Sequence, residues 1–578
     1  MSETTAGQST EAFAGPGARW LRTVGHRGIA PLMLLALSLA FFLPGLAQVP
    51  PLDRDEPRFA QATKQMVESR DFIDIRFQDE ARHKKPVGIY WLQSAAVEAS
   101  GLGSKAPIWV YRLPSQIGAI LAVLLTYWCT RAFAGPRAAF FAGALVAGTL
   151  LLGVEARLAK TDAMLLATIL AAQGALARIW LDRESGRHPR LAAVFWVALA
   201  LSVLIKGPVG PMVVGLALVA LCVVQRQLSW LKRLYPLKGG IAFALMVLPW
   251  FVAIYLQTDG AFFDEAIGKD LLAKVGSGQE SHGAPPLTHL AAALVTFWPL
   301  PAFAVLALPM LMRSVKSPVV LFSLCWILPS WAVFELTATK LPHYTLPLLP
   351  TIALLAAVLL SRQSGDAEQM PSKAWRYASA GLLAVPVAGV VVANFAAGPV
   401  LGTWPSPPGA MIAVLALLPA LAAMRRLARG AAAAALPPTL AAGLLLIVAT
   451  WGFTLPSLSP MWISPRLAAE VGTVAGCADP LVANSGFNEP SYIFLQGTDT
   501  RPLSAADTAA FLLEVSQAGG TGRCRIAVVE AREEAAFLAA LAASGRAKAV
   551  PATRIQGFNI NGGKKLDFGI YRATDLNE

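Results

Sequence analysis

Six short clusters of charged residues interrupt an otherwise apolar chain, and their residue types suit a phosphate and a hydroxyl. The first is Asp53-Arg54-Asp55-Glu56-Pro57-Arg58, and the second is Arg82-His83-Lys84-Lys85-Pro86, followed by Val87-Gly88-Ile89-Tyr90-Trp91-Leu92. The third is Glu155-Ala156-Arg157-Leu158-Ala159-Lys160-Thr161-Asp162, and a Lys206-Gly207-Pro208 turn is the fourth. A stretch at 259–286 holds Asp264, Glu265, Lys269, Asp270, Lys274, Glu280 and His282, and Lys340-Leu341-Pro342-His343-Tyr344 completes the set. Lys and Arg supply charge-assisted bonds to a phosphate, and a carboxylate can take or orient a hydroxyl proton. Each cluster also has a plain structural reading. Asp55 stands where a helix N-cap would, with Pro57 tolerated in the first turn. Asp162 can cap the helix that follows it. Lys84 and Lys85, just before a helix start at Pro86, can form an anion site with its free N–H groups or simply contact lipid headgroups.

The elements that must position these clusters are membrane helices. In 578 residues the set AVILMFWYC makes up 55% and DEKR only 14%, against about 25% charged in a soluble protein. A soluble chain cannot hide that much apolar surface. Disorder and a disulfide scaffold are excluded by the same composition. The net charge of +13 does not indicate nucleic acid, because the basic residues are spread through short loops between apolar stretches. Stretches long enough to span a bilayer fall near 29–49, 109–131, 138–154, 163–181, 191–205, 209–225, 240–258, 287–312, 318–338, 342–361, 377–397, 410–424 and 431–455, giving about 13 spans.

With the N-terminus (1–28) in the cytoplasm, every inside loop is basic: Arg131 and Arg137, Arg178 to Arg190, Arg226 to Lys238, Arg313 and Lys316, Arg362 to Arg376, and Arg425 to Arg429. The charged clusters then all fall on the outer face, the first two in a long loop at 50–108. The apolar residues Phe59, Ala60, Ala62, Met66 and Val67 predict a helix lying flat on the membrane surface. Residues 29–456 thus form the membrane domain, and 457–578 read as a small outer α/β domain. Its strand-length runs are at 481–484, 492–495, 526–529 and 568–571, with helices at about 504–517 and 531–544. Cys477 and Cys524 both lie in it and can pair if geometry allows.

The clusters resemble the bacterial branch of the protein O-mannosyltransferase superfamily, most closely the aminoarabinose-transferase-like enzymes that modify lipid A. The resembling motifs are Asp55-Glu56-Pro57-Arg58, Lys85-Pro86-Val87-Gly88-Ile89-Tyr90-Trp91-Leu92, Arg157 to Asp162, His282-Gly283-Ala284-Pro285, and Lys340 to Pro347. They occur in order over about 30–360. The resemblance implies a polytopic α-helical membrane glycosyltransferase of GT-C type with a C-terminal periplasmic α/β domain, in the bacterial inner membrane. It implies a polyprenyl-phosphate-linked sugar as donor and lipid A, or another envelope glycan or lipid, as acceptor. Asp55 and Asp162 match the family's acids. Arg58, Lys85, Lys274 and Lys340 with Tyr344 match its phosphate-binding set, with Glu56, Lys84, Arg157, His282 and His343 around them. The family often has Glu before the Lys-Pro; here Lys84 stands there, removing a carboxylate able to hold a divalent metal or the sugar. No cofactor is otherwise called for. Two rivals stay open: a transporter or flippase of a lipid-linked or anionic substrate, and a glycosyltransferase acting on a protein hydroxyl.

Overall fold

The computed structural model describes residues 28–52, 55–182, 188–271, 284–362, 370–514, 523–544 and 550–572. The chain is a polytopic helical membrane protein with a C-terminal sheet domain. Nine helices among the described residues are long and apolar enough to cross a bilayer, ten if one bent pair counts as a single span. The 13 apolar stretches expected all form helices: besides the nine, one is a pair bent by 112°, and three are shorter, Ile29–Phe42, Pro136–Ala147 and Val209–Gln225. Backbone chemistry accounts for the breaks. The first apolar stretch stops at Phe42, before Pro44 and a left-handed Gly45. The pair Thr288–Thr296 and Leu300–Arg313 is interrupted ahead of Pro299, which has no N–H to continue the ladder.

Eight helices frame the site. They are α1 (Ile29–Phe42), α2 (Asp55–Ser69), α3 (Gly88–Ser100), α4 (Ile108–Thr130), α5 (Pro136–Ala147), α6 (Leu150–Glu155), α7 (Asp162–Leu181) and α8 (Pro189–Lys206). Two glycines let these helices touch backbone to backbone. A Cβ on Gly118 of α4 would stand 2.6 Å from the Met164 nitrogen of α7. One on Gly88 would stand 2.7 Å from the Leu204 carbonyl of α8. The start of α7 is thereby held against α4, and the end of α8 against the loop that carries α2 and α3.

That loop is not spread on the membrane surface as its apolar face predicts. Phe59, Ala60, Ala62, Met66 and Val67 are all buried in protein. One side of α2 packs with Val87, Ile89, Tyr90, Leu204 and Trp250. The other packs with Val97, Val110, Tyr111 and Phe494. The apolar stripe was legible, but a stripe cannot say whether lipid or protein covers it. Between α2 and α3 lies a two-residue hairpin, β1 (Arg76–Phe77) with β2 (Glu80–Ala81).

The C-terminal domain has a sheet ordered β4-β3-β5-β7-β6, from β3 (Leu481–Ser485), β4 (Arg501–Pro502), β5 (Arg525–Glu530), β6 (Thr553–Phe558) and β7 (Lys565–Arg572). β3 pairs in parallel with β4 and β5, while β7 is antiparallel to both β5 and β6. Leu467, Val471, Val528, Phe568 and Ile570 fill one core, and Ala509, Leu512, Val529, Phe537 and Leu541 the other. Residues 492–495, expected as a strand, lie in a helix, Pro490–Gln496. Pro490 pre-sets its first turn, and short apolar runs do not distinguish the two states. Cys477 and Cys524 form a disulfide.

This domain rests on the first loop. The Gln61 amide donates to Thr498 Oγ1 at 2.8 Å, Gln78 Nε2 to the Thr498 carbonyl at 3.0 Å, and Thr498 Oγ1 to Glu68 at 2.7 Å. The Tyr111 and Phe494 rings meet edge to face at 5.2 Å. The 50–108 loop and the sheet domain therefore lie on the same side of the helices.

Candidate functional site

Two aspartates from distant parts of the chain share one set of cations. Asp55 opens α2, and Asp162 opens α7. The charges acting most strongly on Asp55 are Lys160, Arg82, Arg58 and His343, and those on Asp162 are Lys206, His343 and Lys160. His343 and Lys160 thus face both carboxylates. Arg58 Nη1 lies 3.9 Å from Asp55, one turn along the same helix. Lys206, at the end of α8, is ion-paired and hydrogen-bonded with Asp162. Lys160 Nζ stands 4.0 Å from Glu155. Burial alone would raise the Asp55 pKa, but Lys160, Arg82, Arg58 and His343 together outweigh it, and the carboxyl lies below its ordinary value. Asp55 is therefore ionised at neutral pH.

Two buried arginines build the frame beneath these charges. Glu56, next to Asp55, points the other way and is fully buried. It accepts Arg112 Nε at 2.7 Å and Nη2 at 2.9 Å, the Leu52 N–H at 2.6 Å and the Ala159 N–H at 2.9 Å. The remaining Arg112 donors reach the carbonyls of Leu46, Val49 and Pro50. One carboxylate thus ties the start of α2 to α4 and to the segment leading into α7. Arg157 does similar work near the end of α1, donating to the carbonyls of Pro44 at 2.6 Å, Gly153 at 2.5 Å and Phe41. Its guanidinium also lies 4.9 Å from the Trp451 ring centroid. Alternation of Asp55 and Glu56 along the helix sends one acid to the site and its neighbour into the frame.

The structure sorts the residues marked in the sequence. Asp55, Asp162, Arg58 and His343 come together. Arg157 does not pair with Asp162 but with backbone carbonyls, and Glu56 belongs to the frame. Lys340 donates to the Thr337 carbonyl at 2.8 Å, and its charge acts on His289. It is not among the cations that dominate at Asp55 or Asp162. Tyr344 lies with its ring 5.1 Å from that of His343. Lys84 is exposed and Lys85 half-buried, and α3 starts at Gly88, two residues beyond the helix start expected at Pro86. Lys274 and His282 lie outside the described residues. Three residues at the centre, Arg82, Lys160 and Lys206, were quoted in the charged clusters but not singled out. The signal available was their shared outer-face placement; which of many outer cations converge depends on helix packing. Among the described residues, no three His, Cys, Asp or Glu side chains converge on one point.

The chain is similar to several known proteins. A model of the dolichyl-phosphate-mannose-protein mannosyltransferase family matches residues 56–260. The undecaprenyl phosphate-alpha-4-amino-4-deoxy-L-arabinose arabinosyl transferase of Aeromonas salmonicida is 26% identical over 361 residues, 61% of this chain and 64% of the relative. A second transferase of that name from Pseudomonas fluorescens is 27% identical, over 58% of this chain and 57% of its own length. The match thus spans about three fifths of these curated relatives. A crystal structure of ArnT from Cupriavidus metallidurans bound to undecaprenyl phosphate superposes with a TM-score of 0.71 at 18% identity, covering 93% of this chain and 97% of that one. At that identity the likeness establishes the shared fold.

Proposed function

We propose that this chain, an aminoarabinose-transferase-like member of the membrane glycosyltransferases of GT-C fold, moves a sugar from a polyprenyl phosphate to lipid A or another envelope acceptor. The observation that carries the reading is the meeting of Asp55 and Asp162 with Arg58, Arg82, Lys160 and Lys206 at one end of the helices. The relatives named for undecaprenyl-phosphate donors support it. In the reaction an acceptor oxygen attacks the anomeric carbon, and the bond from that carbon to the phosphate oxygen breaks. The electron pair leaves with the phosphate, which gains negative charge. Fixed cations favour that charge more in the transition state than in the ground state. Arg58 and Lys85 serve the phosphate in this reading, joined by Lys274, Lys340 and Tyr344 if the resemblance holds at those positions.

Asp55 then works as an ionised group. A carboxylate below its ordinary pKa is a weak base toward a hydroxyl, so it suits an acceptor that is already ionised, such as a phosphate, and orients the sugar or acceptor. Asp162 acts through Lys206, fixing that ammonium at the site. The site faces the periplasm and the N-terminus lies in the cytoplasm of the inner membrane. The basic loops of the opposite face support this arrangement, as does the Cys477–Cys524 disulfide on the site's own side.

The test is mass spectrometry of lipid A and other envelope glycans from cells with and without the gene, and with an Asp55→Asn copy. A sugar lost from one acceptor in both altered strains supports the reading and identifies sugar and acceptor together. Identical glycans in all three strains would overturn it.

A further inference from the structure

Three of the cations in the site have a protein carboxylate within 4.0 Å: Arg58 with Asp55, Lys160 with Glu155, and Lys206 with Asp162. Arg82 does not. It is only 7% exposed, yet among the described residues its side chain has no ion pair, and its Nε is buried with no hydrogen-bond partner. The contrast with Arg112 and Arg157 is direct, since both spread their donors over carboxylate or carbonyl oxygens. Instead the Arg82 guanidinium lies 5.0 Å from the Phe59 ring centroid, on α2 one turn from Asp55. Tyr90 packs against the same ring, its own ring 5.4 Å from that of Phe59. Its buried hydroxyl faces the Arg82 side chain, which acts on it as a charge and as a hydrogen-bond partner. The Arg82 charge is attracted by Asp55, but a buried donor left without a partner carries a desolvation cost of its own. The Tyr90 hydroxyl can donate as well as accept, but Arg82 Nε–H is a donor only, so the group that completes it is an acceptor. Arg58, Arg82, Lys160 and Lys206 outnumber the carboxylates Asp55, Asp162 and Glu155 by one, so that acceptor carries negative charge.

We propose that Arg82, with Tyr90, binds a phosphate oxyanion of the substrates. This rests on the glycosyl-transfer reading and adds to it a residue matched to no position of the family motif. A phosphodiester donor brings one negative charge, matching the surplus cation. The released polyprenyl phosphate is more strongly charged, so Arg82 also favours bond cleavage. The rigid fork of the guanidinium, held over Phe59, sets the direction of approach.

The test uses the full-length protein in nanodiscs, with undecaprenyl phosphate and undecaprenol as paired probes read by native mass spectrometry. Wild type should prefer the phosphate. Arg82→Gln should weaken undecaprenyl phosphate by about tenfold to a hundredfold and leave undecaprenol unchanged. Arg82→Lys, which keeps the charge but loses the fork, should fall between. A parallel pair, lipid A and dephosphorylated lipid A, locates the phosphate: loss confined to lipid A assigns Arg82 to the acceptor instead, still as an oxyanion ligand. Unchanged phosphate binding in both pairs, or equal weakening with and without phosphate, would overturn the proposal. A wild-type protein with no preference for undecaprenyl phosphate over undecaprenol would instead remove the donor reading on which it rests.

Discussion

Glu56→Gln separates the frame from the site. The two acids Asp55 and Glu56 are adjacent, and a motif reading treats them as one unit. The structure gives Glu56 four acceptor bonds, two of them to a buried arginine. Glutamine matches the shape but offers one oxygen, and its NH2 would face an Arg112 donor or a backbone N–H. Arg112, 1% exposed, would keep its charge without a counter-ion. Breaking a buried pair from one side costs about 3–5 kcal/mol. Much of that should appear as local opening, because the lost bonds join α2 to α4 and to the segment before α7. At about 1.4 kcal/mol per tenfold, even the lower figure raises exchange of the Leu52 and Ala159 amides by about a hundredfold or more. Hydrogen–deuterium exchange on peptides covering 50–56 and 156–162, together with thermal unfolding in detergent, measures both. The double variant Glu56→Leu with Arg112→Met should recover most of the lost stability, since it removes both charges. Wild-type exchange and melting in Glu56→Gln, with activity alone reduced, would show Glu56 to be a substrate contact and refute this account.

Asp55→Asn should do the reverse: with the charge that orients the substrate removed, turnover should fall by about 10²-fold with melting nearly unchanged, and wild-type turnover would reduce Asp55 to a helix cap, a role Asn fills equally well. The depressed Asp55 pKa sets the pH dependence of activity. The carboxylate should stay ionised as pH falls from 7 to 5, with activity lost only below the ordinary carboxylate value of about 3.9; an acidic limb centred near pH 6 would contradict it. Asp74, bonded to His83 at 2.8 Å, is also depressed, first by that hydrogen bond. Its stability contribution is present above the unfolded value and is lost as pH falls through the folded one, which acid unfolding of wild type and Asp74→Asn compares. Reducing the Cys477–Cys524 bond releases a loop closed over 47 residues, which the chain-entropy treatment values at about 4 kcal/mol. Reductant should therefore lower the melting of the sheet domain, and an unchanged transition would count against a stabilising bridge.

What the sequence discloses here follows the range of the physics. Hydropathy is a local property, so the apolar stretches and the positive-inside pattern are read directly from the chain. Breaks at Pro44-Gly45 and ahead of Pro299 are local as well, but a window that averages hydropathy passes over them. The burial of α2 is not local. Its stripe of Phe59, Ala62 and Met66 is satisfied equally by lipid or by Tyr90 and Leu204, and only packing chooses. The same limit governs the site. Asp55, Asp162 and Arg58 stand in recognisable motifs, whereas Lys206 belongs to a three-residue turn and reaches Asp162 because α8 packs along α7 and brings its end beside the start of α7. Partnership also separates residues that composition treats alike. Arg82, Arg112 and Arg157 are all buried arginines at the same end of the helices, and their sequence contexts do not rank them. Arg112 and Arg157 are saturated by Glu56 and by chain carbonyls, so they hold the frame. Arg82 keeps an unused donor beside Asp55. An open buried donor stays in place because neighbouring pairs fix the frame around it. The rigid Glu56–Arg112 lock and the open donor of Arg82 are therefore two halves of one arrangement, in which the frame holds an unused hydrogen-bond donor at the site.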